Sequence, residues 1–498
     1  MKNLKNIMLT IGAIAGFVSC NDAIEIDQPG RLDAEAAFSS VNDLQAGLFG
    51  VYDNYDISTD IAFQSIFTDE LSIGFDNGGQ GLADYGFVLN AGSTAPFTFW
   101  TDGYQQLNAA TRLIEAAENL DPDLIAEDPE LYDKVLGEAY ALRAWGHFIL
   151  LSYFSTDYTD NSALSVINLD FVPTIDQQLL RNTNGETFEL IQSDLSRANG
   201  LLSDDTSNRT RINKDFITAL RARIAAYREN YALAATLSQQ LISKYPLANR
   251  AEYEAMFLDE SDGEVIFKLE RTNNDNYDGQ GATGSPAAGG WAGARFAFVD
   301  ATLAGSPYFE MGRSLFNIID PNDVRYEVNV APSSIIDPDY EENQDPATDI
   351  IVIQKYPGSE GQPLMNDLKI FRASEMYLIR AEAAVAQGNL DVAAGLIKEI
   401  RDARFGEATT APSFSSQTQA YAAILDERRV ELAFEGHRYF DLKRLGVRAN
   451  QGVLKDPIDC AFNGACTLSA DDFRFTLPLP IVEFNANPGL REQQNPGY

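Results

Sequence analysis

Apolar residues recur at spacings of three and four along much of the chain, which predicts a mainly helical protein. Between 187 and 202, Phe188, Ile191, Leu195, Ala198 and Leu202 form one stripe. Phe216, Leu220, Ile224 and Tyr227 mark the next helix. Leu233, Leu237 and Leu241 mark another, which stops at Pro246 because proline cannot continue a helix.

The helices come in pairs. Ala234 precedes Pro246 by twelve residues. That offset matches the tetratricopeptide (TPR) pattern, in which a small residue lets two helices approach and a proline ends the second. In a second pair, Met376, Ile379, Ala383 and Ala386 line one helix, Gly388–Asn389 turn, and Ala393, Leu396, Ile397 and Ile400 line the next. "GYQQLNAATRLIEAAEN" and "LYDKVLGEAYALRAWGHFILLSYF" predict a third pair. Trp100 and Trp145 fall in such segments and are assigned to the core. Long irregular stretches interrupt the pairs at 74–99, 271–300, 333–349 and 446–498, with strand-like runs "EVIFKLE" and "IIVIQKY" beside them. The fold class is therefore mainly α, a TPR-like helical-repeat scaffold with long loop-rich insertions and a few short strands. Loops this long in a compact protein are usually functional.

Composition narrows the function. The 498 residues are 45% hydrophobic, enough for a large core, and carry a formal charge of −36. Such a surface repels nucleic acid and anionic lipid. With two histidines and three cysteines, no zinc cluster and no CxxC pair is present, and a histidine-based triad has almost no raw material. No cofactor and no metal is expected. "NNDNYDG" has EF-hand-like spacing at Asn274, Asn276, Asp278 and Gly279, but Ser285 stands where a bidentate Glu is needed. The acidic run Asp337, Asp339, Glu341, Glu342 and Asp345 is read as solvated.

The chain begins with basic MKNLKN, then the apolar run IMLTIGAIAGFVS, then Cys20. The run is too short to span a bilayer, which takes about 20 residues, and reads as a signal peptide. Gly16, Phe17, Val18 and Ser19 before Cys20 resemble a bacterial lipobox, which makes Cys20 the lipidated N-terminus of an exported protein. In an oxidising compartment, "CAFNGAC" reads as a small loop closed by a Cys460–Cys466 disulfide, with metal ligation the weaker alternative. The implied division is a signal peptide at 1–19, a lipidated tether at 20–38, an N-terminal region of TPR-like pairs at 39–250, a loop-rich insertion at 251–369 and a C-terminal region at 370–498.

"ERRVELAFEGHRYFDLKR", residues 427–444, mixes charges with aromatics. Read as a helix, it pairs Arg428 with Glu431, Glu435 with Arg438, Arg438 with Asp441 and Asp441 with Arg444, each three apart. Gly436 either admits a neighbouring backbone or breaks the helix. The interleaved aromatics predict partial burial, and buried charges must be paired. The stretch is therefore read as a structural ion-pair lattice, with His437 packed rather than catalytic.

The same stretch resembles the C-terminal signature of the SusD/RagB family of Bacteroidetes outer-membrane lipoproteins. "EMYLIRAEAAVAQGNLDVAAGLIKEIRDAR", "AFSSVNDLQAGLFGVYDNY", "FWTDGYQQLNAATRLIE", "GEAYALRAWGHFILLSYF" and the ending "LPLPIVEFNANPGLREQQNPGY" resemble the family in the same order. The resemblance implies a helical surface lipoprotein with four TPR-like units. It implies a partner, a SusC-like TonB-dependent transporter, and capture of oligosaccharides without catalysis, so no catalytic residue is expected. In some members the ligand is a peptide, which is the alternative. A glycoside hydrolase would need two carboxylates at working separation and rests only on their abundance.

A glycan site needs flat aromatic faces and hydrogen-bonding side chains. Trp291 in its glycine-rich stretch, Tyr277, Arg295, Phe75, Asn77 and Tyr85 in the loops are the candidate ligand contacts. None of them is carried over from the family.

Overall fold

The computed structural model describes residues 38–74, 77–174, 176–272, 292–293, 307–345 and 347–498. Twelve longer helices form the scaffold: α1 (Val41–Asp53), α2 (Ser58–Phe67), α3 (Thr94–Glu118), α4 (Pro129–Phe154), α5 (Asn184–Leu201), α6 (Lys214–Tyr227), α7 (Tyr231–Lys244), α8 (Arg250–Phe257), α9 (Ala373–Ala386), α10 (Leu390–Phe405), α11 (Gln417–Glu431) and α12 (Arg438–Ala449). Their starts are written locally. Thr183 caps α5 and Asn249 caps α8, each in a reciprocal box with a glutamate three residues on. Asp128 caps α4 just before Pro129.

Consecutive helices pack as hairpins: α3 on α4, α6 on α7, α9 on α10 and α11 on α12, with α5 laid along α4 and α7 against α9. Close approach is built in. A Cβ on Gly103 of α3 would lie 2.5 Å from Leu150 of α4. Trp100 and Trp145 are each 2% exposed, and Trp145 stacks on Tyr55 at 5.1 Å. The stripe Phe188, Ile191, Leu195, Ala198 and Leu202 is buried as the periodicity predicts. In α7 the inward face is rotated: Ala234, Ser238 and Leu241 are buried, while Leu233 is 42% exposed. The short side chains at 234 and 238 let α7 sit close to its neighbours, which pushes the leucine outward.

The strands are few. β1 (Leu71–Ile73) pairs antiparallel with β3 (Phe309–Met311). β2 (Val265–Leu269) pairs antiparallel with β4 (Leu368–Arg372). "IIVIQKY" makes no strand; Ile350 and Ile353 each form a single bridge, to Ile335 and Val330.

The 427–444 stretch is not one helix. It breaks after Glu431, passes through positive φ at Phe434 (60°) and Gly436 (78°), and restarts at Arg438. Three of the four expected pairs therefore give way to distant partners. Arg428 bonds Asp441 across the break at 2.6 Å, and Arg438 bonds Asp69 at 2.8 Å. Glu431 takes Arg372 and Arg404, and Glu435 takes Arg372 and Lys355. Only Asp441–Arg444 is made as expected, at 3.2 Å, and Arg444 also holds Glu382. Glu264 closes the lattice between Arg372 and Arg404. All of these side chains are 5% exposed or less, so they lock α9, α10, β2, β4 and the segment after α2 onto α11 and α12. Burial works against the charge of Glu431, yet Arg404 and Arg372 hold its carboxyl far below the usual range.

Candidate functional site

The loop-rich face is organised around the β1–β3 pair. Gly74 N–H donates to the Tyr308 carbonyl at 3.0 Å, an approach so close that a Cβ there would meet Pro307 O at 1.9 Å. Asn77 is 3% exposed; its amide donates to Tyr308 O at 2.8 Å, and its Oδ1 accepts from Gly79 N–H. Asn77 is thus a staple of its own loop, and the expectation that it meets a ligand is corrected.

The next turn, Leu82–Tyr85, delivers Tyr85 inward. Tyr85 is fully buried, and its hydroxyl donates to the Asp459 carbonyl at 2.9 Å. It offers no face to a ligand, which corrects the second expectation for this loop. Its ring instead supports another: Phe462 stacks on it with centroids 5.9 Å apart and planes 19° apart. Beneath Tyr85, Lys455 Nζ lies 3.4 Å from the ring centroid and donates to the Tyr85 carbonyl.

Phe462 belongs to the loop between Cys460 and Cys466, which are joined in a disulfide with Cα atoms 5.2 Å apart. Cys460 is buried, while Phe462 is 58% exposed. Asn463 beside it is exposed, and its amide reaches toward Gly86. The outcome is a flat apolar face held outward, with an amide next to it and the half-buried Asp84 carboxyl one residue before the supporting tyrosine. Burial pushes Asp84 up to about 6 and Asp459 up to about 7, and pushes Lys455 down to about 7. Asp459 points inward, accepting from Arg313 N–H at 2.8 Å.

Arg313 extends this wall. It is 4% exposed, bonds Asp349, and lies 4.0 Å over the half-buried Tyr340 ring. The acidic run serves local turns here: Asp337 accepts from Asp339 N–H and Asn343, and Asp345 from Ala347 N–H. Among the described residues no group of three or more metal-ligating side chains is found.

The opening of α12 offers no comparable site. His437 is 9% exposed, and burial together with Arg223 and Arg428 holds it well below its usual value, so it is neutral. The cavity beside it, lined by Asp60, Gln64, Arg223 and Glu435, measures about 60 Å³, room for a few waters and too small for a sugar.

Of the other expected contacts, Phe75, Tyr277, Trp291 and Arg295 lie outside the described residues, as does Cys20. The sequence did not single out Phe462 and Asn463. The available signal was the place of Phe462 among the five residues between two cysteines, a loop too short to carry an aromatic far from its own root.

Comparison with known proteins supplies the context. The SusD family matches residues 349–498, and a family described as "Starch-binding associating with outer membrane" matches residues 26–225. SusD-like protein P38 of Formosa agariphila is 24% identical over the full length of both chains. The starch-binding protein SusD of Bacteroides thetaiotaomicron is 32% identical over 30% of this chain and 26% of its own. Among solved structures, a SusD superfamily protein from Bacteroides thetaiotaomicron superposes with a TM-score of 0.74 at 23% identity, covering 92% of this chain and 100% of that one. A laminarin-binding SusD-like protein gives 0.66 at 21% identity, covering 93% and 100%.

Proposed function

The chain belongs to the SusD/RagB family, and we propose from that premise that it captures oligosaccharides at the outer membrane without cleaving them. Cys20 carries the lipid anchor after removal of residues 1–19. The bound glycan passes to a SusC-like TonB-dependent transporter. The names of the starch-binding and laminarin-binding relatives support the ligand class. The observation that carries the reading is the exposed Phe462 ring, stapled at both ends of its loop by the disulfide and backed by Tyr85. Such a face pre-positions stacking on the C–H face of a pyranose, at little cost in ordering on binding.

Isothermal titration of the lipid-free chain against a polysaccharide panel tests this. Binding of at least one neutral glycan is expected, with no product released on incubation. Phe462→Ala is expected to weaken it by about tenfold, or roughly 1.4 kcal/mol. Release of shorter products would overturn the capture role, and a peptide hit beside a blank glycan panel would change the ligand class.

A further inference from the structure

Val453 and Leu454 pair antiparallel with Leu468 and Thr467, and the hairpin so formed, which carries Phe462, has a second concavity at its root. A groove of about 640 Å³ lies between the last turn of α12 and residues 450–454 and 467–471. Small-ligand sites commonly measure about 300–1,000 Å³. Arg429 and Asp69 form its floor, 8% and 1% exposed. Arg429 donates to the Asp69 carbonyl and to Ser314 Oγ, and its Nε has no hydrogen-bond partner among the described residues. Arg438 neutralises the Asp69 carboxylate. On the walls, Val447 and Leu454 are 66% and 62% exposed, two aliphatic side chains open to solvent. Asp426, Asn450, Ser469 and Asp471 sit exposed along the rim. Asp426 accepts from the Gln451 amide and Asp471 from Ser469, and neither carboxylate has an ion-pair partner among the described residues.

Hydroxyl, amide and carboxylate groups along an aliphatic wall suit a polyhydroxylated ring, which gives and accepts hydrogen bonds at its edge and is apolar on its face. The uncompensated rim carboxylates disfavour an acidic sugar. Leu454 in the groove and Phe462 on the loop are eight residues apart in the sequence, at most about 29 Å of chain. We propose that the groove is a second subsite, which takes further rings of the same neutral oligosaccharide whose other end stacks on Phe462. This rests on the glycan reading of the Phe462 face. Linking the two contacts through one ligand makes the second effectively intramolecular, so affinity rises with chain length.

The test is titration of the full chain with short and long members of the maltooligosaccharide and laminarioligosaccharide series. Two variants accompany it: Asp426→Asn with Asp471→Asn, which keeps shape, and Val447→Arg, which fills the groove from an exposed position. Long members are expected to bind the parent about tenfold more tightly than short ones, a gain that both variants erase while leaving short members and the melting temperature unchanged. Affinity independent of length, or a length gain untouched by both variants, overturns the groove alone. Failure of every member to bind the parent overturns the groove together with the Phe462 face.

Discussion

Replacing Glu431 with glutamine keeps the shape of the most shared carboxylate in the lattice and removes its charge. Its Oε1 accepts from Arg372 at 2.9 Å and Arg404 at 2.8 Å; its Oε2 accepts from Arg404 at 3.0 Å and Arg325 at 3.3 Å. The residue is fully buried. Three guanidiniums then lose part of their compensation while each is 4% exposed or less. Removing one partner of a buried pair costs about 3–5 kcal/mol. Unfolding entropy of about 2.1 cal/mol/K per residue, over the 479 residues from Cys20 to Tyr498, amounts to roughly 1 kcal/mol/K. The expected drop in melting temperature is therefore roughly 3–5 °C, read by calorimetry. Asp204→Asn serves as control: its partner is Lys214 at 2.6 Å, but the carboxylate is 95% exposed, so it should melt within about 1 °C of the parent. Well below melting, Glu431→Gln should bind glycan like the parent. A variant that melts with the parent, or one that folds normally yet loses the glycan, refutes the structural reading of residues 427–444.

Three further outcomes are expected. Asp459 holds a proton in the folded chain up to about 7, whereas the unfolded chain releases it near 3.8; stability therefore falls as pH rises between those values, and Asp459→Asn should flatten that slope in melting curves. Lys455, pushed down to about 7, works in the opposite direction above that pH, where stability rises, so a slope change confined to alkaline pH would point to the wrong group. Replacing Cys460 and Cys466 with serine opens a loop of sequence separation 6 and should cost about 2 kcal/mol by loop entropy. It should also weaken glycan binding, since Phe462 loses its staple; intact affinity in the titration would detach the disulfide from the site. Trp291→Ala is expected to lower glycan affinity in the same assay, and unchanged affinity would leave binding to the Phe462 face.

The helical scaffold was legible because its signal is local. A stripe such as Phe188–Leu202 needs only the helix period, and the TPR-like pairs need only a turn between two stripes. The charged stretch shows where this stops. Spacing of three finds partners within one helix, and it found Asp441–Arg444, which share α12. It could not find Asp69 for Arg438, 369 residues away, or Glu264 for Arg404. A break at Gly436 is one of the two outcomes the sequence offers, but spacing does not show that Phe434 also turns the backbone or that Glu431 and Glu435 aim at Arg372. β4 was missed for the same reason: "LKIFR" is a strand because β2 lies beside it. At the site, the aromatic residues of the early loop read as exposed because loops usually lie at the surface. Tyr85 points inward because the Asp459 carbonyl meets its hydroxyl there, a contact across 374 residues.

Asp69 carries a consequence for how the molecule assembles. Its carboxylate is 1% exposed and is answered by Arg429, Arg438 and the Leu454 amide, all near the C-terminal end of the chain. A ribosome makes that end last. Until then, closing the early helices over Asp69 would bury an unpaired anion, a cost that opposes compaction of the first half. Late-made arginines thus tie closure around Asp69 to the arrival of α11 and α12.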